Sequence, residues 1–467
     1  MRDPSDEALD GHVSPADPLS PRAAFARIAA AVRPIVRYDV GDPWEVDTAR
    51  LPGPLARYRR QMRAFAERHL GPRALAADLE PHAATGTMSE GNRALLGVAA
   101  REGLLSDLLP WPLGSLDPRL LRYPLFLPQA LKAEELARAD GGLMLLVCAN
   151  GLGVGPVVLS GDLGLVRREL LPAFRANARG EPWTFAFAIT EPGGGSDVED
   201  GHGARTYKPG VTARREAGGH RLRGRKCYIS GGDVAKRVVV FAALEGEGMT
   251  SWTAFLVAND APGFRVARTE LKMGMRASAA AEIELDDVFV PDAGVVGGLR
   301  GGWALNRATL NMSRIPVAAM GVGFARAATE EATRFACTFR LAGKPLVAYQ
   351  EVQLALADMM AETQAARAMT WDAAQHAQAR QGLASAAKFH ATDTARRVCE
   401  RAMDLLGNHS VLHGQRVEKA LRDVRLTQIF EGTNQINRLA VIEEEQERLL
   451  AAIRTGRDAP DDRSHVP

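Results

Sequence analysis

Three short stretches of this 467-residue chain carry groups that could do chemistry. The first runs Ala188-Ile189-Thr190-Glu191-Pro192-Gly193-Gly194-Gly195-Ser196-Asp197, directly after an apolar run. Consecutive glycines let main-chain N–H groups come close to a ligand, and Thr190 and Ser196 add hydroxyls. Taken alone, such a loop is more often a tight turn between strands. The second, Lys226-Cys227-Tyr228-Ile229-Ser230-Gly231-Gly232, sets an aromatic ring and a hydroxyl two residues apart, hence on one face of a strand. A flat ring system could lie there, although an amphipathic strand with Tyr228 in the core fits equally well. In the third, Gln428–Ile436, the carboxylate of Glu431 precedes a flexible Gly432 and a helix start. By itself Glu431 reads as an acidic residue stabilised by a helix N-terminus.

Residues 1–20, rich in Pro, Asp and Ser, read as a poorly ordered leader. Helical periodicity dominates from Leu55 to Asn177, in segments such as Ala56–His69 and Leu131–Ala139, with an irregular proline-bearing stretch over Trp111–Pro128. Strand signals follow at Trp183–Ile189, Lys226–Ile229, Val238–Ala243, Thr253–Val257 and Ala281–Val290, and Gly218-Gly219 suggests a hairpin. Helical patterning returns after Gly302 over Leu305–Thr338, Ser385–Leu406 and Asn434–Ile453. Val352, Leu356, Met359, Thr363 and Ala366 form one stripe of a further helix. The expected fold is α+β and mainly α. A partly disordered extension (1–50) and a helical domain (51–182) precede a central antiparallel β-barrel (183–300), a four-helix bundle (301–455) and a polar tail (456–467).

Together the three stretches, and a fourth running from Leu271-Lys272-Met273-Gly274-Met275-Arg276-Ala277-Ser278 into Asp286-Asp287-Val288-Phe289-Val290-Pro291, resemble the acyl-CoA dehydrogenase family in order and spacing. The resemblance spans residues 55–450, and the motifs TEPGGGSD and FEGTNQI are its most specific parts. It implies FAD as cofactor, an acyl-CoA substrate, an electron-transferring flavoprotein as acceptor, and a homo-oligomer whose FAD reaches across a subunit interface. By the same resemblance Ile189 and Thr190 lie against the flavin pyrimidine edge, and Tyr228 and Ser230 lie near N5. Phe187, Gly195, Ile229, Thr433 and Gln435 are further cofactor contacts, Ser196 touches both cofactor and the pantetheine arm, and Gly432, Asn311 and Arg314 line the substrate channel. Arg314 reads otherwise as one half of an interhelical ion pair.

Glu431 matches the family's catalytic base. Some members instead draw the base from the position held here by Ser313, which cannot serve as a carboxylate. A proton beside a thioester carbonyl is weakly acidic, so its removal needs a positioned base and stabilisation of enolate-like charge; hydride then passes to flavin N5. Burial beside an acyl chain is expected to raise the Glu431 pKa.

Two departures fall on the adenine half of the cofactor. Where the family carries Arg-x-x-Phe-Gly at a helix start, this chain has Phe339, Ala342 and Gly343, with Arg340 one place later and about 100° round a helix. Asp404, Gly407, Asn408, His409 and Ser410 replace a glutamine and glycine-rich turn. Either other side chains, Arg340 among them, hold the adenine end, or FAD is weakly retained in an altered assembly.

Bulk properties narrow the field further. A net charge of +2 over 58 basic and 56 acidic residues gives no field to attract nucleic acid or an anionic membrane. Four scattered cysteines form no CxxC pair, His409 and His413 have no third metal ligand near in sequence, and no apolar run reaches about 20 residues. With an acidic start, these features point to a cytoplasmic enzyme without metal or membrane span. An acyl-CoA oxidase, an acyl-carrier-protein thioester dehydrogenase and a non-catalytic subunit or scaffold are the competing readings.

Overall fold

Strict alternation builds the central sheet. Along β1 (Phe185–Ala188), Phe185 and Phe187 enter one core while Ala186 and Ala188 enter another. β4 (Arg237–Leu244) repeats the division, with Val239, Phe241 and Ala243 on one side and Val238, Val240 and Ala242 on the other. Both faces are buried, which is why these strands read as continuous apolar runs.

The computed structural model describes residues 27–28, 42–80, 88–196, 206–376 and 381–454; the expected leader (1–20) and tail (456–467) lie outside them. By internal contacts the chain divides into Met1–Ala56 and Arg57–Pro467. The first unit holds α1 (Pro43–Ala49), whose Trp44 N–H donates to the Asp42 side chain at 3.0 Å, and the start of α2 (Gly53–Phe65). Then come α3 (Ala74–Leu79), α4 (Glu90–Arg101), α5 (Phe126–Ala139), α6 (Gly141–Leu159) and α7 (Leu163–Ala178). Asp140 and Asp162 cap α6 and α7, accepting from Leu143 N at 2.7 Å and Leu165 N at 2.9 Å. Helix α6 corrects one expectation: its 19 residues are long and apolar enough, by length and composition, to cross a membrane. Most of that stretch is instead buried in the protein, against β1 and α8 (Gly302–Thr338).

The remaining strands are β2 (Thr212–Glu216), β3 (Gly219–Ser230), β5 (Thr253–Ala258), β6 (Phe264–Thr269), β7 (Ala280–Pro291) and β8 (Val295–Val296). They pair in the order β6-β7-β3-β2-β4-β5-β8, with β1 beside the first half of β4. The expected hairpin forms at Gly218, whose φ is +77°. The mainly α fold class is as expected, with one correction: the central sheet is mixed rather than antiparallel, since β1–β4 and β2–β4 run parallel, and the pairing among the described residues shows no closure of the path into a barrel. Strand β1 reaches β4 only after the β2–β3 hairpin, a connection long enough for parallel pairing.

Beyond the sheet, α8 is joined by α9 (Gln350–His376), α10 (Gln381–Leu406), α11 (Arg416–Thr427) and α12 (Asn434–Arg454). The stripe Val352, Leu356, Met359, Thr363 and Ala366 is buried as its spacing requires. Between α8 and α9 the expected helix start is a hairpin, β9 (Arg340–Leu341) with β10 (Lys344–Pro345). Ala342 and Gly343 turn it at φ of +48° and +78°, the left-handed pair that two-residue hairpins use. The 100° helical offset of Arg340 therefore does not apply. The four-residue spacing of His409 and His413 is not helical: the first ends a 3₁₀ turn at Gly407–His409 and the second lies in the turn before α11.

Candidate active site

Where α5, α6 and α8 meet β1, the end of β3 and the α11–α12 connection, a cavity of about 720 Å³ opens, within the ~300–1,000 Å³ usual for ligand pockets. It is lined by Phe187, Ile189, Thr190, Gly195, Ser196, Tyr228, Ile229, Ser230, Glu431, Gly432 and Thr433. Four expected residues lie elsewhere. Asn311 and Arg314 line a separate hollow of about 20 Å³ against α12, where Arg314 Nη1 donates to Asn311 Oδ1 at 2.9 Å and Ser385 Oγ at 3.0 Å. Gln435 is exposed on α12, and Arg340 is exposed on the hairpin, donating to the Gly343 carbonyl at 2.8 Å.

The glycine-rich loop is anchored by Glu191, buried at its start. One Glu191 oxygen accepts from Lys226 Nζ at 2.8 Å and Val211 N at 3.2 Å; the other accepts from Tyr207 Oη at 2.6 Å and Gly210 N at 2.5 Å. Lys226 also donates to the Ile189 carbonyl at 2.8 Å. Burial draws its ammonium below the ordinary value even though Glu191 opposes the shift. Of the three glycines, Gly194 is required by packing, since a Cβ there would sit 2.4 Å from the Tyr207 ring. A Cβ on Gly195 would meet only Thr190 Cγ2, at 3.7 Å, among the described residues. Packing therefore does not demand a glycine at 195, whereas a ligand lying on the backbone does.

Two non-glycine residues on the cavity wall hold left-handed backbone: Tyr228 at φ +59° and Glu431 at φ +57°. Such conformations are uncommon and gather at functional sites. A register shift between Lys226 and Ile229 in the β3–β7 ladder accompanies the first. It breaks the simple alternation expected of Tyr228 and Ser230 and turns the tyrosine ring out of the core, 64% exposed, while both residues stay on the cavity.

Glu431 sits in the tight connection between α11 and α12, closed by Asn434 N donating to the Gln428 carbonyl at 3.0 Å. Lys388, buried on α10, donates to the Gly432 carbonyl at 2.7 Å and Asn434 Oδ1 at 2.9 Å; Asn437 donates to the Gly432 and Thr433 carbonyls at 2.8 and 3.0 Å. With the backbone so fixed, the Glu431 carboxylate accepts from Ser313 Oγ of α8 at 2.5 Å. Burial pushes its pKa above the ordinary value, and the Ser313 hydrogen bond, Lys388 and Arg314 only partly offset this. The glycine-rich loop and this turn meet directly, as Thr433 N donates to Ser196 Oγ at 3.1 Å.

Sequence reasoning missed Glu191, Lys226, Lys388 and the partnership of Ser313 with Glu431. Lys388 did leave a signal. Ala384, Lys388, Ala391 and Ala395 share one helical stripe, and the other three are small and buried. A lysine on such a stripe needs internal acceptors.

The cavity suits a flat, largely apolar cofactor. An open backbone at Gly195 and an outward tyrosine ring lie on one wall, and the indole N–H of Trp183, also on the wall, is buried without a partner among the described residues. A mixed sheet with helices packed on one face and strand residues gathered in a core on the other, and with a carboxylate and a glycine-rich loop on one cavity wall, describes a class of multi-part enzymes that enclose a cofactor and a substrate together. The comparisons narrow it. Residues 186–288 match the acyl-CoA dehydrogenase middle domain and 300–445 the acyl-CoA dehydrogenase C-terminal domain. The chain belongs to the acyl-CoA dehydrogenase family. It is 34% identical over 383 residues to cyclohex-1-ene-1-carbonyl-CoA dehydrogenase of Geobacter metallireducens, covering 81% of this chain and 94% of that one. Butyryl-CoA dehydrogenase from Megasphaera elsdenii superposes with a TM-score of 0.74 at 27% identity, over 86% of this chain and 99% of that one. A chain from the structure of the electron transferring flavoprotein of Acidaminococcus fermentans does so with a TM-score of 0.74 at 27% identity, over 86% and 98%.

Proposed function

We propose that the protein oxidises an acyl-CoA thioester to its trans-2-enoyl-CoA, with Glu431 removing the α-proton. The observation that carries this reading is one carboxylate, fixed in left-handed backbone and partly withdrawn from water, on the wall that also holds the glycine-rich loop. FAD is the cofactor, and when bound it supplies the acceptor for the β-hydride. Ile189, Thr190, Tyr228 and Ser230 hold its ring system, with Phe187, Gly195, Ile229 and Thr433 as further contacts. Ser196 and Gly432 border the thioester. The N–H groups of Glu431 and Gly432 donate to no described residue, so they are available to the carbonyl oxygen on which charge develops. A raised pKa makes the carboxylate a stronger base near neutral pH.

Electrons leave through an electron-transferring flavoprotein, a reading supported by the likeness to a chain from such a structure. The protein is a cytoplasmic homo-oligomer in which the exposed Arg340 hairpin serves the adenine end of another copy's FAD. Exposed Leu341, Val411 and Leu412 suit such an interface. Light scattering measures the assembly. The decisive experiment mixes the Glu431→Gln holoenzyme with acyl-CoAs anaerobically: it stays yellow and binds thioester but does not bleach. Bleaching at the wild-type rate sinks the proposal.

A further inference from the structure

The cavity has a second polar feature that proton removal does not use. On its helical wall, Phe126, Gln129, Lys132 and Ala133 form one stripe of α5, and Asp107 faces them from the segment after α4. Lys132 Nζ donates to Asp107 Oδ1 at 2.8 Å and Oδ2 at 2.7 Å, and Tyr58 Oη donates to Asp107 Oδ2 at 3.1 Å. Gln129 Nε2 donates to the Asp107 carbonyl at 3.2 Å. Lys132, Asp107 and Gln129 are each buried, and Lys132 reaches no other acceptor among the described residues. The cavity lining is otherwise mostly apolar, with Leu125, Met144, Pro316, Val317 and Met320 among it and Ser106 and Asn150 as uncharged polar members.

An ion pair in an otherwise greasy acyl pocket is costly if a purely hydrocarbon chain lies on it, because the chain strips the water that satisfies the spare N–H. The same pair favours an acyl chain that brings its own acceptor. The charges cancel within the pair, so a neutral oxygen fits where a second carboxylate would be repelled by Asp107. Protonation states agree. Burial pulls Lys132 down but Asp107 more than offsets this and keeps it an ammonium; burial, then Asp107, keeps Tyr58 a phenol; burial pushes the Cys148 thiol beside them up to about 11, so it adds no charge.

We propose that the enzyme selects acyl thioesters carrying an uncharged hydroxyl or keto oxygen beyond the β-carbon, which Lys132 binds. The inference rests on the thioester-oxidising function proposed above. The bland alternative is that the pair only ties the Asp107 segment to α5.

The test uses the holoenzyme and length-matched acyl-CoAs: unsubstituted, hydroxy- or keto-substituted at successive positions, and terminally carboxylated. Anaerobic bleaching gives kcat/KM, and calorimetric titration gives Kd. At one position the oxygenated chain should be favoured over its alkyl counterpart by roughly tenfold to a hundredfold, as expected for a hydrogen bond to a charged donor. In the double variant Asp107→Leu/Lys132→Met the preference should reverse. Equal or better use of alkyl chains at every position by the wild type overturns the inference, as does preference for the carboxylated chain or a parallel loss of all substrates in the double variant. If the double variant does not fold, the wild-type series still decides. Bleaching by no thioester at all takes down the proposed function too, whereas bleaching by alkyl chains alone overturns only this selection.

Discussion

Glu134 and Glu431 are both carboxylates withdrawn from water, yet their surroundings drive them in opposite directions. Glu134, on α5, accepts from Arg326 at 2.8 Å, Arg367 at 3.1 Å and Arg59 at 3.2 Å, and from the Trp371 indole at 3.3 Å. Burial alone would raise its pKa, but Arg367, Arg59 and Arg326 overwhelm that and hold it at about 2. Glu431 has one short hydroxyl contact and more distant cations, so burial wins and its pKa rises. Several cations around one carboxylate lock its charge and join α2, α5, α8 and α9. Burial with scant compensation leaves a proton that can be exchanged, which a base needs.

Swapping the two charges for amides gives the sharpest contrast. Glu431→Gln should lower the bleaching rate by roughly 10²–10⁴-fold while leaving stability unharmed. A carboxylate with a raised folded pKa contributes stability that is fully present below its unfolded value and is lost as pH rises through the folded pKa. At neutral pH the amide should thus be as stable as wild type or more so. Glu134→Gln should cost roughly 3–5 kcal/mol, because it removes one buried carboxylate from three guanidinium groups and leaves Glu135 to face Arg59 and Arg326; denaturant unfolding reads the loss, with residual folded enzyme still able to bleach. If both amides lose activity alone, or stability alone, the distinction fails.

Acid titration gives the next largest effect. The depressed pKa of Glu134 contributes about 3 kcal/mol, present above its unfolded value near 4.5 and lost as pH falls towards about 2. The wild type should lose stability steeply across that window and Glu134→Gln much less so. The smallest effect concerns Ser313. Its hydrogen bond favours the charged carboxylate, so Ser313→Ala should raise the Glu431 pKa further. The acid limb of kcat/KM, which a raised Glu431 pKa would set, should move to higher pH. Activity should fall several-fold at mildly acidic pH and recover under alkaline conditions. A pH-independent loss would make Ser313 a packing residue only.

Much of this arrangement was legible in the sequence because it is local. Three adjacent glycines, a carboxylate before Gly432 and the alternation of Phe185 with Ala186 announce themselves in any window of a few residues. What escaped depends on segments far apart in the chain. Ser313 meets Glu431 only because α8 passes the α11–α12 connection, and Glu191 finds Lys226 only once β3 lies beside the loop after β1. The Arg340 segment was misread for a different reason. A motif analogy placed it on a helix, whereas Ala342-Gly343 needs two left-handed residues and so makes a hairpin. Helix α11 was missed because its sequence is largely charged, with Arg416, Glu418, Arg422, Arg425 and the buried Lys419 obscuring the stripe of Val417, Ala420 and Val424. At Tyr228 a one-residue irregularity defeated a sound period-two argument.

The bond from Thr433 to Ser196 spans 237 residues of sequence. It ties the loop proposed to carry the flavin ring to the turn that holds the proposed base, so a shift in one is passed to the other. Chimeras that graft the sheet and glycine-rich loop of a relative onto this helical bundle should therefore be sensitive to the residue at 196, whereas position 433 takes part through its main-chain N–H and should tolerate exchange. A donor sheet lacking the serine hydroxyl would misplace the carboxylate even with every bundle residue untouched.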